Sequence, residues 1–346
     1  MKHKTFVTVT LTGIILILLI VSVVVYTVDP YQLYHSPKHS LAYKMETNSF
    51  SYYNPGIAKN YDYDTVVTGS SMSRSFLPSY IDEIFSCKTV KLSMAEARGK
   101  DFFDLFEVLF AEKKCKRIIM GLDIFAFNVN KDFTSYEKPM YMYDQNIFND
   151  LYYLTNLDGL KESIQVIQYT KSGGETTTMD EYQNYALEST FSKEKVIKVY
   201  QENMPVEKTN EYDKEELRKT IVDNLNQNLI PAIENNKECE FMFYFPPYSI
   251  ARWGMTKNVE ADLEAIRIIV EQLVEYPNVS IFFFQGEEET ITDLNHYMDT
   301  IHFDSEVSKD IIDYMAEEKN KMTIDNYQQM IDDFSAFIYN YNYDAF

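Results

Sequence analysis

A chain of 346 residues, 45% hydrophobic and 15% aromatic, has room for one large core or two modest ones, and its 28 Tyr and 23 Phe exclude disorder throughout. Fifty-three acidic against 32 basic residues give a formal charge of -21, which repels a phosphate backbone and excludes nucleic acid as a general partner. Three cysteines without a C-x-x-C pair exclude a disulfide-stapled scaffold and a zinc ribbon.

Residues 6–28, FVTVTLTGIILILLIVSVVVYTV, carry no charge. About 20 apolar residues at a rise of ~1.5 Å cross a hydrocarbon layer of ~30 Å, so this run predicts a transmembrane anchor. Lys2 and Lys4 precede it and Asp29-Pro30 follow. The positive-inside rule then leaves residues 1–5 as a cytoplasmic tip and everything after Val28 outside the cell. A cleaved signal peptide has a shorter apolar region, ~7–15 residues, and a small-residue cleavage site. No A-x-A follows here, which favours an uncleaved single-pass anchor. Residues 29–59, with several Tyr and with Pro30, Pro37 and Pro55, read as an irregular extracellular stalk. No Gly/Ser linker or internal repeat follows, so residues 60–346 read as one continuous domain.

Within it, short apolar runs alternate with helical patterns. Thr65-Val66-Val67, Thr89-Val90-Lys91-Leu92, Arg117-Ile118-Ile119-Met120, residues 241–245 and residues 279–284 are candidate buried strands. Residues 101–114, 214–235 and 259–275 carry apolar positions three and four apart, as one buried helix face requires. Strand, helix, strand order implies a parallel sheet between helical layers, an α/β class with α/β/α architecture. Residues 126–204, rich in Tyr and Asn, interrupt this rhythm and read as an insertion or cap. Helical patterns return over 305–321 and 324–339.

The chemistry is expected at strand ends. In Thr68-Gly69-Ser70-Ser71-Met72-Ser73-Arg74-Ser75 a buried strand runs into a glycine and then small hydroxyl residues, a setting in which a sharp turn lifts a serine Oγ to the sheet edge. Ser71 is the candidate nucleophile. A serine-rich helix cap, in which Ser70, Ser71 or Ser73 satisfies backbone amides, fits the same letters. Asp299-Thr300-Ile301-His302 supplies a carboxylate and an imidazole three positions apart. Serine needs both, because an imidazole must take its proton and a carboxylate must hold the imidazole's tautomer. Asp293 precedes His296 by the same spacing, so the base is one of two histidines.

Together these segments resemble the SGNH/GDSL hydrolases, and more closely the membrane-anchored branch of cell-envelope polymer acylation that includes the DltD-like proteins and polysaccharide O-acetylation proteins. Gly69-Ser70-Ser71 and Tyr297-Met298-Asp299-Thr300-Ile301-His302-Phe303 carry the resemblance, which extends from about Tyr61 to Tyr314 and takes in Gly121-Leu122-Asp123-Ile124-Phe125 and Phe245-Pro246-Pro247-Tyr248. It implies a flavodoxin-like SGNH fold and a triad of Ser71, His302 and Asp299, selecting His302 over His296. Leu92-Ser93-Met94 with Gly99 looks like the family's second block, so the resemblance implies an oxyanion hole from the amides of Ser71 and Gly99. The family's Gly-Asp-Ser is Gly-Ser-Ser here, and for its third-block asparagine, a further oxyanion-hole donor, the candidate is Asn128, displaced from the family's register.

Arg74 and Arg98 flank these blocks and are candidate binders of an anionic polymer or surface ion-pair partners. Glu287-Glu288-Glu289 reads as a solvated acidic loop, and neither metal nor cofactor is assigned. Tyr136, Tyr141, Tyr143, Tyr152 and Tyr153 suit a sugar-stacking surface or ordinary packing. In a strand order 2-1-3-4-5 the third and fourth strands are neighbours, which brings Cys115 near Cys239 as a disulfide or as free thiols beside Cys87. The expectation is a membrane-tethered serine esterase or acyltransferase acting on acyl esters, O-acetyl or D-alanyl, of an envelope polysaccharide or teichoic acid. The resemblance implies a membrane-bound O-acyltransferase as partner. The alternative is a non-catalytic polymer-binding or scaffold partner of such an enzyme.

Overall fold

The computed structural model of the chain describes residues 2–112, 114–204 and 206–346, and its backbone divides into two compact units.

The first unit comprises the chain up to Tyr61 together with Glu107–Glu112 and Lys138–Thr178. Its N-terminal helix, Lys2–Val28, is long and apolar enough to cross a membrane. Phe6, Leu11, Ile17 and Ile20 stand exposed along it, as a lipid-facing helix requires. The helix ends at Asp29, which takes a positive φ of 50° and turns its carboxylate into the next loop. Oδ1 accepts from the Leu33 amide at 2.9 Å and from the Tyr153 hydroxyl at 2.9 Å, and Oδ2 from the Tyr34 and His35 amides at 2.8 and 3.0 Å. Tyr43 donates to the Val28 carbonyl at 2.8 Å, and Val28, Tyr43 and Val166 form a buried cluster with Val24, Leu41 and Ile167.

Residues 29–59 are therefore not an independent irregular stalk: they fold with residues 138–178 and contain the helix Phe50–Asn60. Pro55-Gly56 hides that helix in the sequence, since both residues oppose helix propensity. Gly56 is there because a Cβ would lie 2.2 Å from the Tyr31 carbonyl oxygen. The segment read as an insertion, 126–204, is also divided, with Lys138–Thr178 in the first unit and Met179 onward in the second.

The second unit is α/β. Strands β1 (Thr65–Thr68), β2 (Thr89–Lys91), β3 (Arg117–Gly121), β4 (Glu240–Phe245) and β5 (Val279–Phe283) run parallel, and β6 (Lys321–Met322) joins β5 antiparallel. The order is β2-β1-β3-β4-β5-β6. Val66, Val67, Ile118, Ile119, Phe241 and Phe243 are wholly buried, which explains why these strands read as continuous apolar runs rather than alternating ones. The pairings Val66↔Val90 and Val66↔Ile118 put β1 between β2 and β3. The chain thus moves one way from β1 to β2 and returns across β1 to β3, opening a crevice beyond the carboxyl ends of β1 and β3.

Helices Pro78–Phe85 and Ser305–Ala316 pack together, while Lys214–Asn228, Val259–Leu273 and Tyr327–Asn340 form a second group. Two expected helices are shorter than their patterns. The one over 214–235 breaks at Leu229, where Pro231 starts the separate turn Ile230–Asn235. The one from 305 stops at Ala316, after which Glu318 and Asn320 take positive φ and lead into β6.

Candidate active site

The crevice receives the nucleophile turn from β1. Gly69 has a φ of +140°, and a Cβ there would sit 3.1 Å from the Gly121 nitrogen and 3.2 Å from Ser73 Oγ, so glycine alone lets β1 end against β3. The chain then makes one 3₁₀ turn, Ser71–Ser73. Ser70 Oγ accepts from the Met72 amide at 3.2 Å, and Ser73 Oγ lies 2.9 Å from the Ser70 carbonyl and 2.7 Å from Ser93 Oγ. Both serines are fully buried. The cap is thus Ser70, and the Ser73 hydroxyl is spent on the Ser70 carbonyl and on Ser93, which leaves the half-buried Ser71 pointing elsewhere.

It points at His302. The loop carrying that residue is closed by a bridge between Tyr297 and Phe303 and by the Met298 amide donating to the His302 carbonyl at 3.0 Å. Tyr297 donates its hydroxyl to the Pro247 carbonyl at 2.8 Å, and Ser249 Oγ donates to the Thr300 carbonyl at 2.6 Å, fastening the loop to the end of β4. Asp299 Oδ1 accepts from the amides of Ile301 and His302, each at 2.8 Å, and Oδ2 lies 2.7 Å from His302 Nδ1. His302 Nε2 lies 2.8 Å from Ser71 Oγ.

The two side-chain links, from Asp299 to Nδ1 and from Nε2 to Ser71, fix the proton arrangement. Burial raises the Asp299 pKa, but the His302 ring and the two amides outweigh it and hold the carboxyl below its usual range. An ionised carboxylate at Oδ2 accepts the Nδ1 proton, so Nε2 presents a lone pair to the Ser71 hydroxyl. The arrangement can deprotonate Ser71 and stabilise the imidazolium that forms.

Of the two candidate bases, His296 is occupied elsewhere. Its Nδ1 lies 2.8 Å from Asp304, the residue that caps the Ser305–Ala316 helix. Burial lowers its pKa, but Asp304 and Asp293 raise it more, and the net shift is upward.

Beside the triad loop lies a cleft of about 410 Å³, lined by Ile301 with Arg98, Phe125, Asn128, Tyr248 and Arg252 among others. Arg98 stacks on Phe125, 4.6 Å from the ring centroid, and donates to the Phe125 carbonyl at 3.0 Å. Arg98 and Asn128 thus reach the cleft, whereas Arg74 does not line it: its Nε donates to the Gln183 carbonyl at 2.8 Å. Gly99 opens the helix Gly99–Ala111, where a Cβ would meet Asn224 Oδ1 at 2.0 Å, so its place there reflects helix packing.

Asp123, two residues past the end of β3 at Gly121, is buried and accepts from the Tyr248 hydroxyl. Burial pushes its carboxyl up, against the Ser70 and Tyr248 hydroxyls and the nearby His302 and Arg98. Arg252, which pattern reading does not single out, faces the cleft because the short helix Ile250–Met255 follows the Pro246-Pro247 turn. The three cysteines are free thiols, and Cys115 and Cys239 lie side by side, their mutual hydrogen bond pushing Cys115 well up. Compared with known proteins, the chain matches no family model and no curated sequence.

Proposed function

We propose that the chain is a membrane-anchored serine esterase or acyltransferase of SGNH type, with a three-layer flavodoxin-like domain held outside the cell, acting on acyl esters of a cell-envelope polymer. The observation that carries this reading is the unbroken chain from Ser71 Oγ through His302 to Asp299, with 2.8 and 2.7 Å links. The cap at Ser70 and the Ser73 bonds to the Ser70 carbonyl and Ser93 leave the Ser71 hydroxyl without a structural duty.

Ser71 Oγ attacks the acyl carbonyl while its proton passes to His302 Nε2, and Asp299 holds the imidazolium. Amides at the Ser71 turn, with Gly99 or Asn128 as the family resemblance implies, receive the developing oxyanion. Collapse breaks the ester bond, and His302 returns the proton to the departing hydroxyl. The acyl-Ser71 ester then passes to water in an esterase, or to a sugar or polyol hydroxyl in a transferase. A partner membrane-bound O-acyltransferase, implied by the same resemblance, would supply the acyl group from within.

The test uses the full chain in detergent with p-nitrophenyl acetate and a serine-directed fluorophosphonate, beside Ser71→Ala. Turnover and labelling by the wild type, both lost in Ser71→Ala, support the reading. Equal behaviour of the two proteins refutes it.

A further inference from the structure

One segment touches both the residue that ends the nucleophile turn, Arg74, and the His302 imidazole, and belongs to neither sequence block. Residues 180–185 run past the nucleophile turn and the histidine loop, and four contacts fasten them. Lys91, on β2, is wholly buried, and its Nζ donates to the carbonyls of Arg74 at 3.0 Å, Phe76 at 2.9 Å and Asp180 at 3.3 Å. Arg74 Nε donates to the Gln183 carbonyl at 2.8 Å. The Asp180 carboxylate accepts from the amide and hydroxyl of Ser79 at 2.9 and 2.6 Å. Tyr185 donates to the Phe303 carbonyl at 2.8 Å and sets its ring edge-on to the His302 imidazole, 5.3 Å between centroids at 75°.

Gln183, almost fully buried, has a φ of +60°, which a non-glycine residue keeps only where its surroundings over-determine it. Such strain marks a segment held for position. The two partners of the proton transfer come from distant segments, Ser71 and His302, and Tyr185 is the side chain that touches the imidazole from this third one.

We propose that residues 180–185 are a clasp that positions the Ser71–His302 pair, with Tyr185 as the positioning residue on the imidazole and the Lys91 ammonium as the pin that joins the clasp to the nucleophile turn. This rests on the acyl-transfer reading above and adds a control on the same site. The pin works only in its charged form: an ammonium has three N–H donors for three carbonyls, whereas the neutral amine has two and turns a lone pair toward the third. Burial lowers the Lys91 pKa to about 7; Asp180 opposes the fall and Arg74 adds to it, and these are the charged groups facing it. The clasp therefore loosens as pH rises through neutrality, while general-base catalysis by His302 requires the imidazole to be neutral. The consequence is an activity with an alkaline limb near neutral pH.

The full chain in detergent is assayed for p-nitrophenyl acetate hydrolysis and fluorophosphonate labelling from about pH 5.5 to 9.5, beside Tyr185→Ala, Tyr185→Phe and Lys91→Met, with melting curves for each. Tyr185→Ala should lower kcat by roughly 10- to 100-fold with KM little changed, as an ångström-scale misplacement of the base does. Tyr185→Phe keeps the ring and should recover most of that loss. Lys91→Met should lower kcat and abolish the alkaline limb. If Lys91→Met does not fold, the wild-type profile decides: a rate that holds level to about pH 9 overturns the pin. An unchanged kcat in a folded Tyr185→Ala overturns the clasp and leaves the acyl-transfer reading standing. A wild type inert to both reagents refutes that reading and the clasp with it.

Discussion

Replacing Asp299 by Asn tests the triad at its least replaceable point. The Asn Oδ1 can still accept from the Ile301 and His302 amides, so the loop keeps two of its three bonds to this side chain. The third bond inverts. At 2.7 Å from His302 Nδ1 the variant offers an amide N–H where the wild type offers a carboxylate oxygen, so Nδ1 must become the acceptor and the proton moves to Nε2. Nε2 then meets Ser71 Oγ with an N–H instead of a lone pair, and the imidazolium loses its counter-charge. A wrong tautomer of this kind costs roughly 10³- to 10⁴-fold in kcat. At about 1.4 kcal/mol per tenfold, that is roughly 4–5.5 kcal/mol of transition-state stabilisation. KM for p-nitrophenyl acetate should change little, and the melting temperature should move by only a few degrees. The assay is steady-state hydrolysis with a parallel fluorophosphonate labelling rate, which should fall in step. A folded Asp299→Asn with kcat within tenfold of wild type would show that Asp299 does not set the His302 tautomer.

Three further outcomes follow from other parts of the site. Gly69→Ala must place a Cβ at a φ of +140° and 3.1 Å from the Gly121 nitrogen, so it should destabilise the protein by about 1–3 kcal/mol, read as a lowered urea midpoint. His296→Gln should leave kcat unchanged but lower stability in a pH-dependent way. A histidine whose pKa is raised on folding stabilises fully below its unfolded pKa, and that contribution fades as pH rises through the folded value, so the deficit in the variant should be larger at about pH 5 than at about pH 8. Phe125→Ala removes the ring beneath Arg98 and should raise KM for aryl esters several-fold at constant kcat if that cleft seats the substrate, a split read directly from saturation curves.

The strands β1, β3, β4 and β5 were legible because each holds a short run of buried apolar residues, β2 was carried by Val90 and the Leu92 that follows it, and β6 was not legible because two residues carry no period. The helix Phe50–Asn60 was masked by a proline and a glycine whose presence answers to packing on Tyr31. Ser71, Asp299 and His302 were recognisable since a D-x-x-H spacing closes the carboxylate on Nδ1 within one tight loop, a local geometry. The reach of Nε2 to Ser71 depends instead on the sheet and on a loop fastened to β4, which no local spacing encodes. The partner of Arg74 was hidden for the same reason: Gln183 is more than a hundred residues away, and only folding shows that the guanidinium faces that carbonyl. Tyr185 and Lys91 had no signal at all, since a tyrosine among 28 and a lysine in a strand look like packing until their acceptors are known.

The junction at Asp29 has a mechanical meaning. The carboxylate gathers three amides and a phenol immediately after the apolar helix ends, Tyr43 seizes the Val28 carbonyl, and Lys38 takes that of Thr27. A force along the helix axis is thereby shared in shear among several bonds, three of them to residues more than ten positions away, instead of travelling down a single extended strand. Pulling the helix along its axis would have to tear open the first folded unit, and the same bonds deny a protease the exposed, extended backbone it needs at that point. The helix is built into the unit as a rivet, and its rotation about its own axis is that unit's rotation too.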